Sequence, residues 1–177
     1  MISMQHGAMR GRTLPTALRE RRPVPRWSRS LARGSRPPHM PVEPGLLDTN
    51  LIVYALTGEP APLAGRATKL LREAESGRVS LVVPVAVVAE AVYVLGGRHF
   101  GFDRIRMMRA LCGLLRTPGV VCDDLDAVLD ALAAYALDGI DFVDGYLGAR
   151  ATAAGSCVWT FNRRHFEGRA RLGELPA

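Results

Sequence analysis

Residues 45–50 read Gly45-Leu46-Leu47-Asp48-Thr49-Asn50, a short apolar run that breaks on a carboxylate. A run this short, with no polar alternation, fits a buried strand of a parallel sheet, here Gly45 to Asp48. The segments after it decide the class. Asn50 to Leu56 is apolar enough for a first helix and is stopped by Gly58 and Pro60. Ala61 to Ser76 carries Leu63, Ala67, Leu70, Leu71 and Ala74 near helical spacing, with Gly77 as its stop. Val79 to Val83 is again an apolar strand, and Pro84 suits the first turn of a helix that runs to Leu95.

The alternation continues to the end of the chain. Asp103 is placed to cap a helix through Arg116, with Ile105, Met108, Leu111, Leu114 and Leu115 on one side. Gly119 to Cys122 reads as a strand, and Asp124 to Leu137 and Phe142 to Ala154 read as helices. Cys157 to Thr160 is a further strand, with Leu172 to Leu175 as a short edge strand. Strands alternating with helices imply an α/β fold with parallel pairing and helices on the sheet faces.

Composition narrows the class. At 177 residues with 48% hydrophobic content, the chain supports one α/β domain with a proper core. No apolar run reaches the roughly 20 residues of a membrane-spanning helix. Cys112, Cys122 and Cys157 are odd in number and lack a CxxC spacing, which argues against a disulfide framework and a zinc site and for reduced thiols in a cytoplasmic protein. The net charge of +6 is unevenly placed. Nine arginines against Glu20 and Glu43 give residues 1–44 a charge of +7, which leaves −1 for residues 45–177. The basic balance therefore does not itself argue for nucleic-acid binding by the domain. Residues 1–44 also hold seven of the twelve prolines and read as a disordered Arg/Pro-rich leader. With one lysine beside 22 arginines in the chain, that leader also fits sequence upstream of a true start at Met40.

In a parallel sheet, ligands bind beyond the carboxyl ends of the strands. Asp48 ends the first strand, and Thr160 and Asn162 follow the last internal one. Asp141 and Asp144 flank the start of a late helix, where the macrodipole favours negative charge. Glu90 lies among Val85, Ala86, Val87, Val88, Ala89, Ala91 and Val92, where a buried ionised group needs a partner. Each acid, taken singly, also reads as a helix cap or a surface residue. Converging carboxylates without bases would repel, and a divalent cation relieves that; oxygen-only donors point to Mg²⁺ or Mn²⁺.

Leu46-Leu47-Asp48-Thr49-Asn50, Val88-Ala89-Glu90, the 141–149 segment Asp-Phe-Val-Asp-Gly-Tyr-Leu-Gly-Ala and the 160–166 segment Thr-Phe-Asn-Arg-Arg-His-Phe together resemble PIN-domain proteins. The likeness is greatest to the VapC-type toxin ribonucleases of bacterial toxin–antitoxin pairs. It spans residues 45–175, and its order and separations, 42 residues from Asp48 to Glu90 and 54 from Glu90 to Asp144, add to its specificity. The resemblance implies a three-layer α/β/α sandwich with a short central parallel sheet over residues 45–177. It also implies endonucleolytic cleavage of RNA by metal-activated water, with Mg²⁺ or Mn²⁺ as cofactor.

Carried over, Asp48, Glu90 and Asp144 match the family's metal-binding acids, with Asp141 as an auxiliary ligand. Asn50 matches the supporting polar position and Thr160 the structural hydroxyl. Asn162 stands where many members carry Asp, which opens the question of one metal or two. Arg163, Arg164 and Arg98 are the expected RNA contacts, the last within a cluster of Arg98, His99, Arg104, Arg106 and Arg109; His165 is placed for a general acid or base but reads first as a surface or packing residue. A cognate antitoxin, an RNA substrate and a homodimer are the implied partners, with no membrane. Two other readings compete: a PIN-fold module that binds nucleic acid without cutting, and a phosphatase with an Asp nucleophile. The second calls for another Asp two residues on, where this chain has Asn50.

Overall fold

In the computed structural model, which describes residues 44–175, the chain after β1 (Gly45–Leu46) turns into helix at once. Asp48 caps α1 (Thr49–Thr57) by accepting from the Asn50 backbone N–H. Then come α2 (Ala61–Glu75), β2 (Leu81–Val82), α3 (Val85–Gly96) and α4 (Arg104–Leu115). β3 (Val120–Val121), α5 (Leu125–Leu137), α6 (Phe142–Ala153) and a 3₁₀ turn (Arg163–His165) complete the described residues. The strands form one parallel sheet in the order β1-β2-β3, pairing Leu46 with Val82 and Val82 with Val121. The architecture is the expected α/β sandwich with a short central parallel sheet. The leader predicted over residues 1–44 lies outside the described residues, except for Pro44.

The strands are shorter than the apolar runs that encode them. Hydrogen bonds continue from Leu47 N–H to Val82 O and from Val83 N–H to Val121 O, so the apolar runs are paired beyond the two-residue cores. The strand expected at Cys157–Thr160 does not join the sheet. It makes one parallel bridge, Val158 to Leu172, which is also all that remains of the expected edge strand. The reason is burial: Val158 packs with Ala151 and Phe166 in a small second core, with Ala170 and Leu172 against it.

Helix ends follow their sequence signals. Asp103 accepts from Arg106 N–H at 2.8 Å and Asp141 from Val143 N–H at 2.9 Å, each satisfying an otherwise orphan donor. Pro84 sits just outside α3, as its N-cap, and not within the first turn. The main core takes Leu47, Leu81 and Val83 from the strands and their margins, with Ile52, Val88, Leu95, Met107, Leu111, Leu115, Val128 and Leu132 from the helices. α2 and α4 both pack on β3, and α5 packs between α4 and α6. The α5–α6 approach is close at Gly145, where an added Cβ would lie 3.2 Å from the Ala131 Cα. That closeness fixes the helix that carries Asp144.

Candidate active site

Glu90 is exposed, contrary to the burial its apolar neighbours suggest. α3 buries Val88, Ala91, Val92 and Leu95, an i, i+3, i+4, i+7 stripe, and at 3.6 residues per turn Glu90 falls on the far side. Its carboxylate is nonetheless fixed: Thr49 Oγ1 donates to Glu90 Oε2 at 2.6 Å. Thr49 is 5% exposed, and among the described residues no other polar side chain is buried to that degree. The bond joins the residue next to Asp48 to the acid on α3, across 41 residues of sequence. Asp48 itself is exposed, with its Oδ2 receiving only a long contact of 3.4 Å from Asn50 N–H. The Asn50 side chain is also exposed.

Asp144 belongs to a second group. Its Oδ2 lies 2.6 Å from His165 Nδ1, and Asn162 Nδ2 lies 2.7 Å from the same nitrogen. One ring nitrogen cannot accept from an amide and donate to a carboxylate at once. Nδ1–H donating to Asp144, with the Asn162 amide turned so that its oxygen shares the same hydrogen, removes the conflict. Asn162 in turn donates its backbone N–H to Thr160 Oγ1 at 2.9 Å. His165, read from sequence first as a surface or packing residue, is thus a direct partner of Asp144. The only sequence signal for this was its place three residues after Asn162.

Asp141 is exposed and uses its carboxylate as the α6 cap. Arg163, Arg164 and Arg98 are exposed. The cluster around Arg98 is partly committed within the fold. Arg104 donates to Tyr135 O at 2.8 Å and sits over its ring, and Arg106 lies 3.6 Å from the Phe102 ring centroid. His99 packs edge-on against Phe100. Asp124, read from sequence only as the start of a helix, stands at the carboxyl end of β3. It is held by Tyr146 Oη at 2.6 Å and by Arg150 at 3.1 Å. Its hydrogen bond from Tyr146, followed by burial, pushes the tyrosine pKa up. Burial also raises the Cys112 thiol, and pushes Cys122 up to about 11. All three cysteines are free.

Among the described residues, no three of Asp, Glu, His and Cys gather closely enough to hold one metal ion. Thr49 draws one oxygen of Glu90 and His165 draws one of Asp144. The donor chemistry of the three acids still suits a hard divalent cation.

Among the described residues, no helix is long and apolar enough to cross a membrane. A comparison with curated proteins finds no match. A family model described as PIN domain matches residues 45–172, a span that takes in every element from β1 to the 3₁₀ turn together with Asp48, Glu90, Asp141 and Asp144. The chain belongs to the PIN-domain family.

Proposed function

We propose that the chain is an Mg²⁺- or Mn²⁺-dependent endoribonuclease, the toxin of a toxin–antitoxin pair. Family membership points to nuclease chemistry in general, and the Thr49–Glu90 hydrogen bond carries the finer reading. It ties the acid on α3 to the turn that presents Asp48, a link that an incidental surface glutamate would not need. Asp48, Glu90 and Asp144 would hold the cation, which when bound lowers the pKa of a water and offsets charge on the phosphoryl group. Thr49 orients Glu90, His165 orients Asp144, and Arg163, Arg164 and Arg98 take substrate phosphates. Thr160 and Asn162 shape the loop that carries His165.

The protein acts in the cytoplasm, restrained by an antitoxin encoded beside it. It forms a homodimer, a reading supported by the exposed Tyr93 of α3 and Val143 and Leu147 of α6. Residues 45–177 form the working domain and residues 1–39 are dispensable. A chain starting at Met40 therefore keeps its affinity for RNA; a large loss of affinity rejects this. The alternative, a PIN-fold module that binds without cutting, is favoured by Asn162 alone.

One assay separates the readings. Structured RNA is incubated with the purified chain and Mn²⁺ or Mg²⁺. Cleavage is expected, and it is lost in EDTA and in Asp48→Asn or Asp144→Asn. Full activity in EDTA, or in the double variant, sinks the metal mechanism.

A further inference from the structure

Between buried Val158 and buried Phe166 the chain reads Trp159-Thr160-Phe161-Asn162-Arg163-Arg164-His165. Burial along this stretch is uneven. Val158 is buried and Thr160 half-buried, while Trp159 is 62% and Phe161 94% exposed. Two aromatic rings left in water on a single loop, two residues apart, call for an occupant.

The loop that bears them is fixed. Val158 N–H donates to Arg171 O at 2.8 Å and Gly173 N–H to Val158 O at 3.0 Å. Phe166 is 2% exposed in the second core, and His165 is bound to Asp144. Trp159 itself lies against backbone. A Cβ built on Gly173 would fall 2.6–2.8 Å from indole Cδ2, Cε2 and Cε3, a position above the ring plane that no in-plane neighbour could take. Glycine at 173 thus gives one indole face a backbone seat, while the residue as a whole stays 62% exposed.

We propose that Trp159 and Phe161 form a stacking edge for the bases of unpaired RNA beside Asp144, with Arg163 and Arg164 taking the flanking phosphates. The assignment rests on the nuclease reading and adds to it the residues that receive the bases. Aromatic rings next to exposed arginines provide both things a single strand offers, a base face and a phosphate charge. Every base has a face to stack, so the edge tolerates sequence. Paired bases are stacked within their own duplex, so the edge selects loops and single strands.

The test uses the full chain carrying Asp48→Asn, so that RNA is bound and not consumed, with a fluorescein-labelled unpaired RNA oligonucleotide of mixed sequence and its duplex as probes. By anisotropy, Trp159→Ala and Phe161→Ala each raise the Kd for the unpaired strand roughly ten-fold to one-hundred-fold, the range for losing one stacked base. Leu63→Ala on α2 leaves it unchanged, and the duplex binds more weakly with no response to either aromatic. In Trp27→Phe, which leaves Trp159 as the one tryptophan, the unpaired strand quenches the remaining fluorescence. Phe161 is exposed enough that its alanine variant folds even where Trp159→Ala does not.

An unchanged Kd in Phe161→Ala overturns the stacking edge. So does a change of molecular mass in that variant by light scattering, which would make the edge a protein interface. Cleavage by the wild-type chain together with undiminished binding by Phe161→Ala sinks the stacking edge alone. Aromatic-dependent binding with no cleavage in Mg²⁺ or Mn²⁺ sinks the nuclease reading alone.

Discussion

Glu90 and Asp144 are each held by one hydrogen bond of 2.6 Å, yet the two donors stand in different surroundings. Thr49 is buried at the start of α1, where Ile52 and Val53 enter the main core. His165 has a side chain 31% exposed and stands on a turn whose anchor is the smaller core of Ala151, Val158 and Phe166. The first acid is positioned by the centre of the fold and the second by its margin. A donor set in the main core holds its acceptor in one direction, whereas a half-exposed donor shares its acceptor with water.

The sharpest way to break this contrast is to remove the marginal anchor. Phe166→Ala should cost about 3–5 kcal/mol of stability, the range for deleting a buried phenyl ring, read as a shift in a urea or thermal melt. Cleavage should fall further than the unfolded fraction explains, because the turn presenting His165 and Asn162 loses its seat. An unaltered melt would show that the second core does not hold this loop. Next is Thr49→Val, which keeps shape and removes the donor. Cleavage should drop about ten- to one-hundred-fold, as for partners that orient metal-ligating groups, and Thr49→Ser should recover most of it. Equal loss in both variants would assign Thr49 to packing alone. His165→Ala should have a smaller effect, about ten-fold, because His165 stands half-exposed on a turn and fixes Asp144 less rigidly than the core-buried Thr49 fixes Glu90. A larger loss than in Thr49→Val would reverse the ranking of the two halves.

The same contrast explains what the sequence could carry. Local signals were readable: Asp103 and Asp141 as caps, Gly77 after α2, and the alternation that makes a parallel sheet. Phase was not. α3 is apolar on almost every side, so its pattern leaves Glu90 open to a buried reading and to one on an exposed stripe, and the structure shows the second. In α4, Ile105 was placed with the core, but it is 36% exposed and Met107 is fully buried in its stead. Bonds across 41 residues, as from Thr49 to Glu90, or 21, as from His165 to Asp144, have no periodicity to betray them. The run Cys157–Thr160 has strand composition, and only tertiary burial shows that it leaves the sheet for a separate core.

Asp124 extends the comparison to an acid at a strand end that is already engaged. Its carboxylate receives the Tyr146 hydroxyl at 2.6 Å and Arg150 at 3.1 Å, tying α5 to α6. Tyr146→Phe should cost about 1 kcal/mol, the net worth of one hydrogen bond, the smallest effect expected here. Its pH dependence has a definite sign. The bond to Asp124, then burial, raises the Tyr146 pKa, so the folded chain holds that proton more tightly than the unfolded one. The contribution is fully present below the unfolded tyrosine pKa of about 10 and is lost as pH rises through the higher folded value. Denaturation midpoints of wild type and Tyr146→Phe should therefore differ near neutrality and approach each other at alkaline pH. A difference that stays constant through the alkaline range would mean that Tyr146 contributes by ring packing, and that Arg150 alone holds Asp124.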